Sequence, residues 1–217
     1  MATSESGREM DEYLASTEYI DADHPSIRKK AQELTAHVRA KREQAVALFR
    51  YVRDRFPYRL IYEIPGRDYF RASATLSRGE GFCMPKSILL AALARAVGIP
   101  SRLHFADIRN HILPPSTTER LKTDVMAYHT YVELCLDGKW VKATPSFDIG
   151  FCQKFNLVPV DFDGEHDAML HHLDRGGRVH IEYIADYGVR AEFPIDEVIA
   201  AFRRTYPHLE KLTAKIS

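Results

Sequence analysis

The chain has 217 residues, 45% hydrophobic and 28% charged, with 30 Lys and Arg set against 30 Asp and Glu. That is a globular composition without a long-range field, which argues against extended disorder and against nucleic-acid or anionic-membrane partners. The length fits one domain, expected over 25–217 behind a polar N-terminal extension at 1–24.

The start, MATSESGREMDEYL, lacks the apolar stretch of a secretory signal, so a cytoplasmic location is expected. Asp23 to Ser26 forms a turn with Ser26 as a helix cap. From Arg42 to Phe56, the apolar residues Ala45, Leu48, Phe49, Val52 and Phe56 recur at spacings of three and four, one face of an amphipathic helix that Pro57 ends. The stretch Tyr58 to Arg78, with Pro65-Gly66 inside, reads as a loop. Met84 to Val97 is apolar on nearly every side, as in a buried central helix, with Gly98 as its left-handed cap. Its core, Ile88 to Ala94, is the longest apolar run and far short of the roughly 20 residues that span a bilayer.

Strand signals follow at Ser101–Ile108, Tyr128–Leu136, Lys139–Ala143 and Arg178–Ile184. Asp137-Gly138 predicts a type I′ hairpin between the second and third of these. Asn110 to Asp124 reads as an exposed loop bordering a cleft, and a helix from about Asp196 to Tyr206 closes the domain. Helices before strands predict an α+β fold, with the central helix packed on an antiparallel sheet.

Cys83 follows Gly79-Glu80-Gly81-Phe82 and opens the buried helix, with Pro85 tolerated in the first turn. The helix N-terminus should favour a thiolate there. The glycines Gly79 and Gly81 would let a substrate carbonyl approach closely, amides near Cys83 would form part of an oxyanion hole, and Gly81 and Phe82 are candidate substrate-binding residues. The other cysteines, Cys135 and Cys152, have no such entry. With three cysteines and no CxxC pair, neither a disulfide framework nor a redox motif is expected. His129, in HTYVEL near a strand start, is the candidate base.

Taken together, GEGFCMPKSILLAALARAVGIPSRL and HTYVELCLDGKWVKATPSF resemble the transglutaminase-like superfamily of cysteine enzymes over roughly residues 40–150. The resemblance implies a papain-type fold in which Cys83 attacks an amide or thioester carbonyl, His129 moves the proton, and a thioester forms. The family carries an aspartate before the proline of the returning strand, where this sequence has Thr144. The third member is then Asp148, four residues on and returning past Pro145, Thr144 itself through its hydroxyl, or some other residue or none. Tyr128 and Trp140 are candidate cleft residues. The His- and Asp-rich stretch at 161–174 lacks zinc-ligand spacing and reads as a surface loop, so neither metal nor cofactor is expected. The expected substrate is a peptide, a protein or a small amide, with hydrolysis favoured over cross-linking. The alternative is a catalytically weak or inactive binding module on the same fold. The sequence leaves the oligomeric state open.

Overall fold

The computed structural model describes residues 10–216. Helix α1 (Pro25–Thr35) starts at a proline, which needs no partner for a missing N–H, and His24 rather than Ser26 caps it by accepting from the Ser26 amide. Helix α2 (Lys41–Arg55) buries Ala45, Leu48, Phe49 and Val52, the stripe expected from the spacing. The next segment departs from the expected loop: a 3₁₀ turn (Arg67–Phe70) leads into α3 (Ala72–Arg78), which stops at Gly79 with φ +78°. Residues 1–9 of the expected N-terminal extension lie outside the described residues. The remainder is not free of the domain, because Tyr19, Ile20 and Ala22 are buried in its core.

Helix α4 (Cys83–Ala96) is buried at every position from Cys83 to Arg95, as an all-round apolar helix must be. It packs against α1, α2 and α3 on one side and the sheet on the other. Two cations inside it have their N–H groups satisfied by backbone carbonyls. Lys86 Nζ donates to Arg53 O at 3.0 Å and Phe56 O at 2.7 Å, closing the end of α2, while Arg95 donates to Ser101, Ala15 and Ala191 carbonyls. Burial pushes Lys86 down to about 7. Gly98 has φ +72° and donates to Arg95 O, the expected left-handed stop.

The strands β1 (Ser101–Asn110), β2 (Val125–Leu136), β3 (Lys139–Ala143) and β4 (Ile181–Arg190) form one antiparallel sheet in the order β3-β2-β1-β4. Asp137 and Gly138 both have positive φ, as a type I′ turn requires. Strand β4 begins three residues later than expected and runs on through Gly188, whose φ is +72°. The loop expected at 110–124 contains α5 (Pro115–Leu121), again opened by proline. Helices α6 (Ile149–Lys154), α7 (Ile195–Thr205) and α8 (Glu210–Thr213) complete the chain, α6 and α8 being too short to show a period in sequence. No helix among the described residues is long and apolar enough to cross a membrane.

Candidate active site

Cys83 is the first residue of α4, and Phe82 before it is extended and gives no side-chain cap. The orphan amides of a helix start are therefore left to the thiol, and the backbone of Thr130 and Met84 lies within hydrogen-bonding reach of it. These amides favour the thiolate, but Cys83 is only 8% exposed and burial outweighs them, pushing the thiol up to about 11. The expected resting thiolate is thus corrected: desolvation wins over the helix terminus.

His129 sits on β2 across from Ala106 of β1, just after a break in the strand register. Tyr128 has φ +53°, rare for an aromatic residue, and donates its N–H to Asp107 Oδ1 at 2.9 Å. Asp107 Oδ2 accepts from the Tyr187 hydroxyl, and the Tyr206 hydroxyl donates to Val125 O while accepting from Ala127 N–H. This clamp fixes the bulged strand and hence the base of the His129 side chain. His129 is 3% exposed, burial lowers it to about 3, and its Nε2 is buried with no hydrogen-bond partner among the described residues. The rings of Tyr131 and Tyr183 flank it at 6.3 and 6.0 Å.

Neither candidate third member hydrogen-bonds His129. Asp148 caps α6: its Oδ1 accepts from Phe151 N at 2.9 Å and its Oδ2 from Tyr58 N at 2.7 Å. The carboxylate sequence reasoning assigned to the histidine is committed to backbone amides at a helix start. Thr144 is buried, directs its hydroxyl to Met169 Sδ at 3.7 Å and lies within reach of the Tyr183 hydroxyl.

Cys83 and His129 line one cavity of about 190 Å³. Its far wall is aromatic: Phe147 and Phe151 stack at 4.8 Å, Tyr58 packs edge-on against both, and Phe155 lies 4.6 Å beyond Phe151. Ser146, 1% exposed, lines the same cavity and its hydroxyl has no partner among the described residues. Sequence reasoning missed this wall, although Phe147, Phe151 and Phe155 recur every four residues.

The expected cleft residues are placed otherwise. Phe82 lines a second, smaller cavity that also reaches Cys83 and His129. Gly81 is required by space, since a Cβ there would stand 3.0 Å from Pro85 Cγ. Tyr128 stacks on Tyr187 at 4.6 Å, and Trp140 is sandwiched between Tyr13 and the Arg102 guanidinium, so neither lines the cavity. In the 161–174 stretch, His166 pairs with Asp163, His172 bonds the Ile181 carbonyl and Asp174 binds Arg178.

Comparison with known proteins finds a match to the family profile described as transglutaminase-like superfamily over residues 28–145, a span that holds Cys83, His129 and Thr144 and ends before Asp148. Among solved structures, the chain is similar to a candidate cysteine protease from Cytophaga hutchinsonii, with 20% identity and a TM-score of 0.50 over 63% of this chain and 42% of that one. It is also similar to an arylamine N-acetyltransferase from Salmonella typhimurium, with 15% identity and a TM-score of 0.48 over 86% of this chain and 72% of that one. The chain thus spans less than half the length of the Cytophaga protein, and at such identities the likeness shows the fold alone. No curated protein matches the sequence.

Proposed function

We propose, from the premise that this chain belongs to the transglutaminase-like superfamily, that it is a cysteine-dependent acyl-transfer enzyme acting on an amide through a thioester, with hydrolysis favoured over transfer to an amine. The observation that carries this reading is the placement of Cys83, at the start of the central helix, and His129, on the adjacent strand, in the wall of one cavity. Cys83 Sγ adds to the carbonyl carbon while a ring nitrogen of His129 takes the thiol proton. The tetrahedral intermediate collapses to a thioester, the proton passes to the leaving amine, and water releases the acid by the same steps. On this reading amides at the start of α4 receive the oxyanion.

Burial holds both groups uncharged at rest, so the proton moves during attack rather than before it. That gives a test. Alkylation of Cys83 by iodoacetamide, which needs free thiolate, is expected to be slow at neutral pH and to climb toward pH 11. Acylation by p-nitrophenyl acetate is expected to stay nearly level between about pH 5 and 9 and to fall at least ~100-fold in His129→Ala, the loss typical of a general base. A second reading, a binding module on the same fold, draws on the unpartnered Nε2 of His129 and the absence of a hydrogen-bonded acid beside it. Acylation that merely follows the alkylation profile and ignores His129 would put that reading first.

A further inference from the structure

We propose that the cavity beside Cys83 is a receptor for an uncharged aryl amide of one ring's size, held by a hydrogen bond to the Ser146 hydroxyl. The inference narrows the substrate class of the acyl-transfer reading and rests on it for the reaction, though not for the binding.

Three features of the cavity point this way. First, size: about 190 Å³ is a little more than the ~150 Å³ of an apolar cavity known to take up benzene, and too small for a stretch of polypeptide. Second, shape and surface: the parallel pair Phe147 and Phe151, with Tyr58 edge-on, offers a flat aromatic face that suits a ring. Third, charge: among the described residues no Asp, Glu, Lys or Arg lines it, and its two histidines, His129 and His180, are held neutral by burial. A charged ligand group would enter without a counter-ion, at the full desolvation cost.

Within this apolar enclosure the Ser146 hydroxyl stands buried and unpartnered. Buried hydroxyls are nearly always hydrogen-bonded; the Ser146 oxygen is itself covered, and a turn of its side chain about χ1 would let it bond the occupant. An extended peptide would bring an N–H and a C=O with every residue, far more polar groups than the few the cavity could satisfy. An aryl amide brings one carbonyl and one N–H next to a ring.

The test is calorimetric titration of the full chain, in the Cys83→Ala background so that binding is read without turnover. The ligands are benzamide, benzoate as its charged isostere, and butyramide as a mimic of a glutamine side chain. Benzamide is expected to bind at least tenfold more tightly than either of the others. Adding Ser146→Ala should weaken benzamide about threefold to tenfold, the effect of one lost hydrogen bond. A second variant, Phe151→Ala, should weaken it further by removing the stacking face.

Butyramide or benzoate binding as well as benzamide would overturn the proposal, as would benzamide affinity indifferent to both Ser146 and Phe151. Failure of the acyl-transfer reading looks different: benzamide binds as expected, but Cys83 of the wild type shows no His129-dependent acylation. Acylation without selective benzamide binding is the reverse case, and leaves that reading standing while this one falls.

Discussion

Cys83 and His129 are both uncharged at rest because the thiol is raised and the imidazole lowered by the same cause, removal from water. An anionic neighbour would change that balance. Thr144→Asp restores the acid that the family carries before Pro145, and it is expected to raise the His129 pKa. Iodoacetamide alkylation of Cys83 should then extend to lower pH, with some loss of thermal stability from the buried carboxylate. Asp148 makes the opposite prediction. As a helix cap it keeps one acceptor oxygen in Asp148→Asn but loses the other, which leaves the Phe151 or the Tyr58 amide without its partner; the variant should cost about 1–3 kcal/mol in urea titrations and leave ester acylation by the folded protein within about tenfold of wild type. A loss near 10⁴-fold, as follows removal of an orienting aspartate, would return Asp148 to the histidine. Ser146→Ala removes an unpartnered hydroxyl and should raise the stability of the free protein by about 1 kcal/mol, measured by chemical denaturation.

At the scale of elements, the bulge before His129 is where strand order and site geometry meet. Tyr206 reaches from beyond the end of α7 to satisfy Val125 and Ala127, the strand groups next to the bulge. Tyr206→Phe leaves both without that partner, an expected cost of about 1–3 kcal/mol, and acylation at Cys83 should fall more than the folded fraction does. The central helix, helix α2 and the hairpin were legible in sequence because each carries a strong local signal: continuous apolarity over 84–97, a stripe over 42–56, and Asp-Gly between alternating runs. Cys83 was legible because it begins such an element, and His129 because it stands at the head of the alternating run that continues to Leu136.

The third member and the cavity wall were not legible, for two reasons. Asp148 is ambiguous as text, since a carboxylate after a proline turn serves equally as helix cap or histidine partner, and only folding of the six-residue α6 decides it. The wall joins Tyr58, Ser146, Phe147, Phe151 and His180, positions up to 122 residues apart (180 − 58) that meet only through packing. Burial, which decides the charge of both reactive groups, is likewise a property of the assembled core and has no local signature.

Across the whole molecule, two buried neutral histidines set the response to acid. Burial lowers His129 to about 3 and His180 to about 4, both below the ordinary 6.5. Their folded pKa values are depressed, so the unfolded chain binds more protons. The stability they contribute is fully present above about pH 6.5 and is lost as pH falls through 4 and then 3. At 1.36 kcal/mol per unit, the loss is on the order of several kcal/mol, comparable to the whole stability of a domain. The urea midpoint should therefore drop steeply between about pH 6.5 and 4, and His129→Gln should flatten part of that slope. A midpoint unchanged over that range would show that neither imidazole is desolvated.

Helix α6 lies outside the central helix and the sheet, yet it supplies much of the aromatic wall. It hangs from one carboxylate, Asp148, which holds both its first turn and the Tyr58 amide in the same wall. On the proposed reading, chemistry and selectivity would be carried on separable parts: Cys83 and His129 are embedded in the core, where few substitutions survive, while Phe151 and Phe155 ride on or beside a peripheral turn and a half. Diversification of those two side chains is the cheapest evolutionary route to new substrates on this scaffold, and a laboratory library restricted to them should yield altered ligand preference without loss of folding.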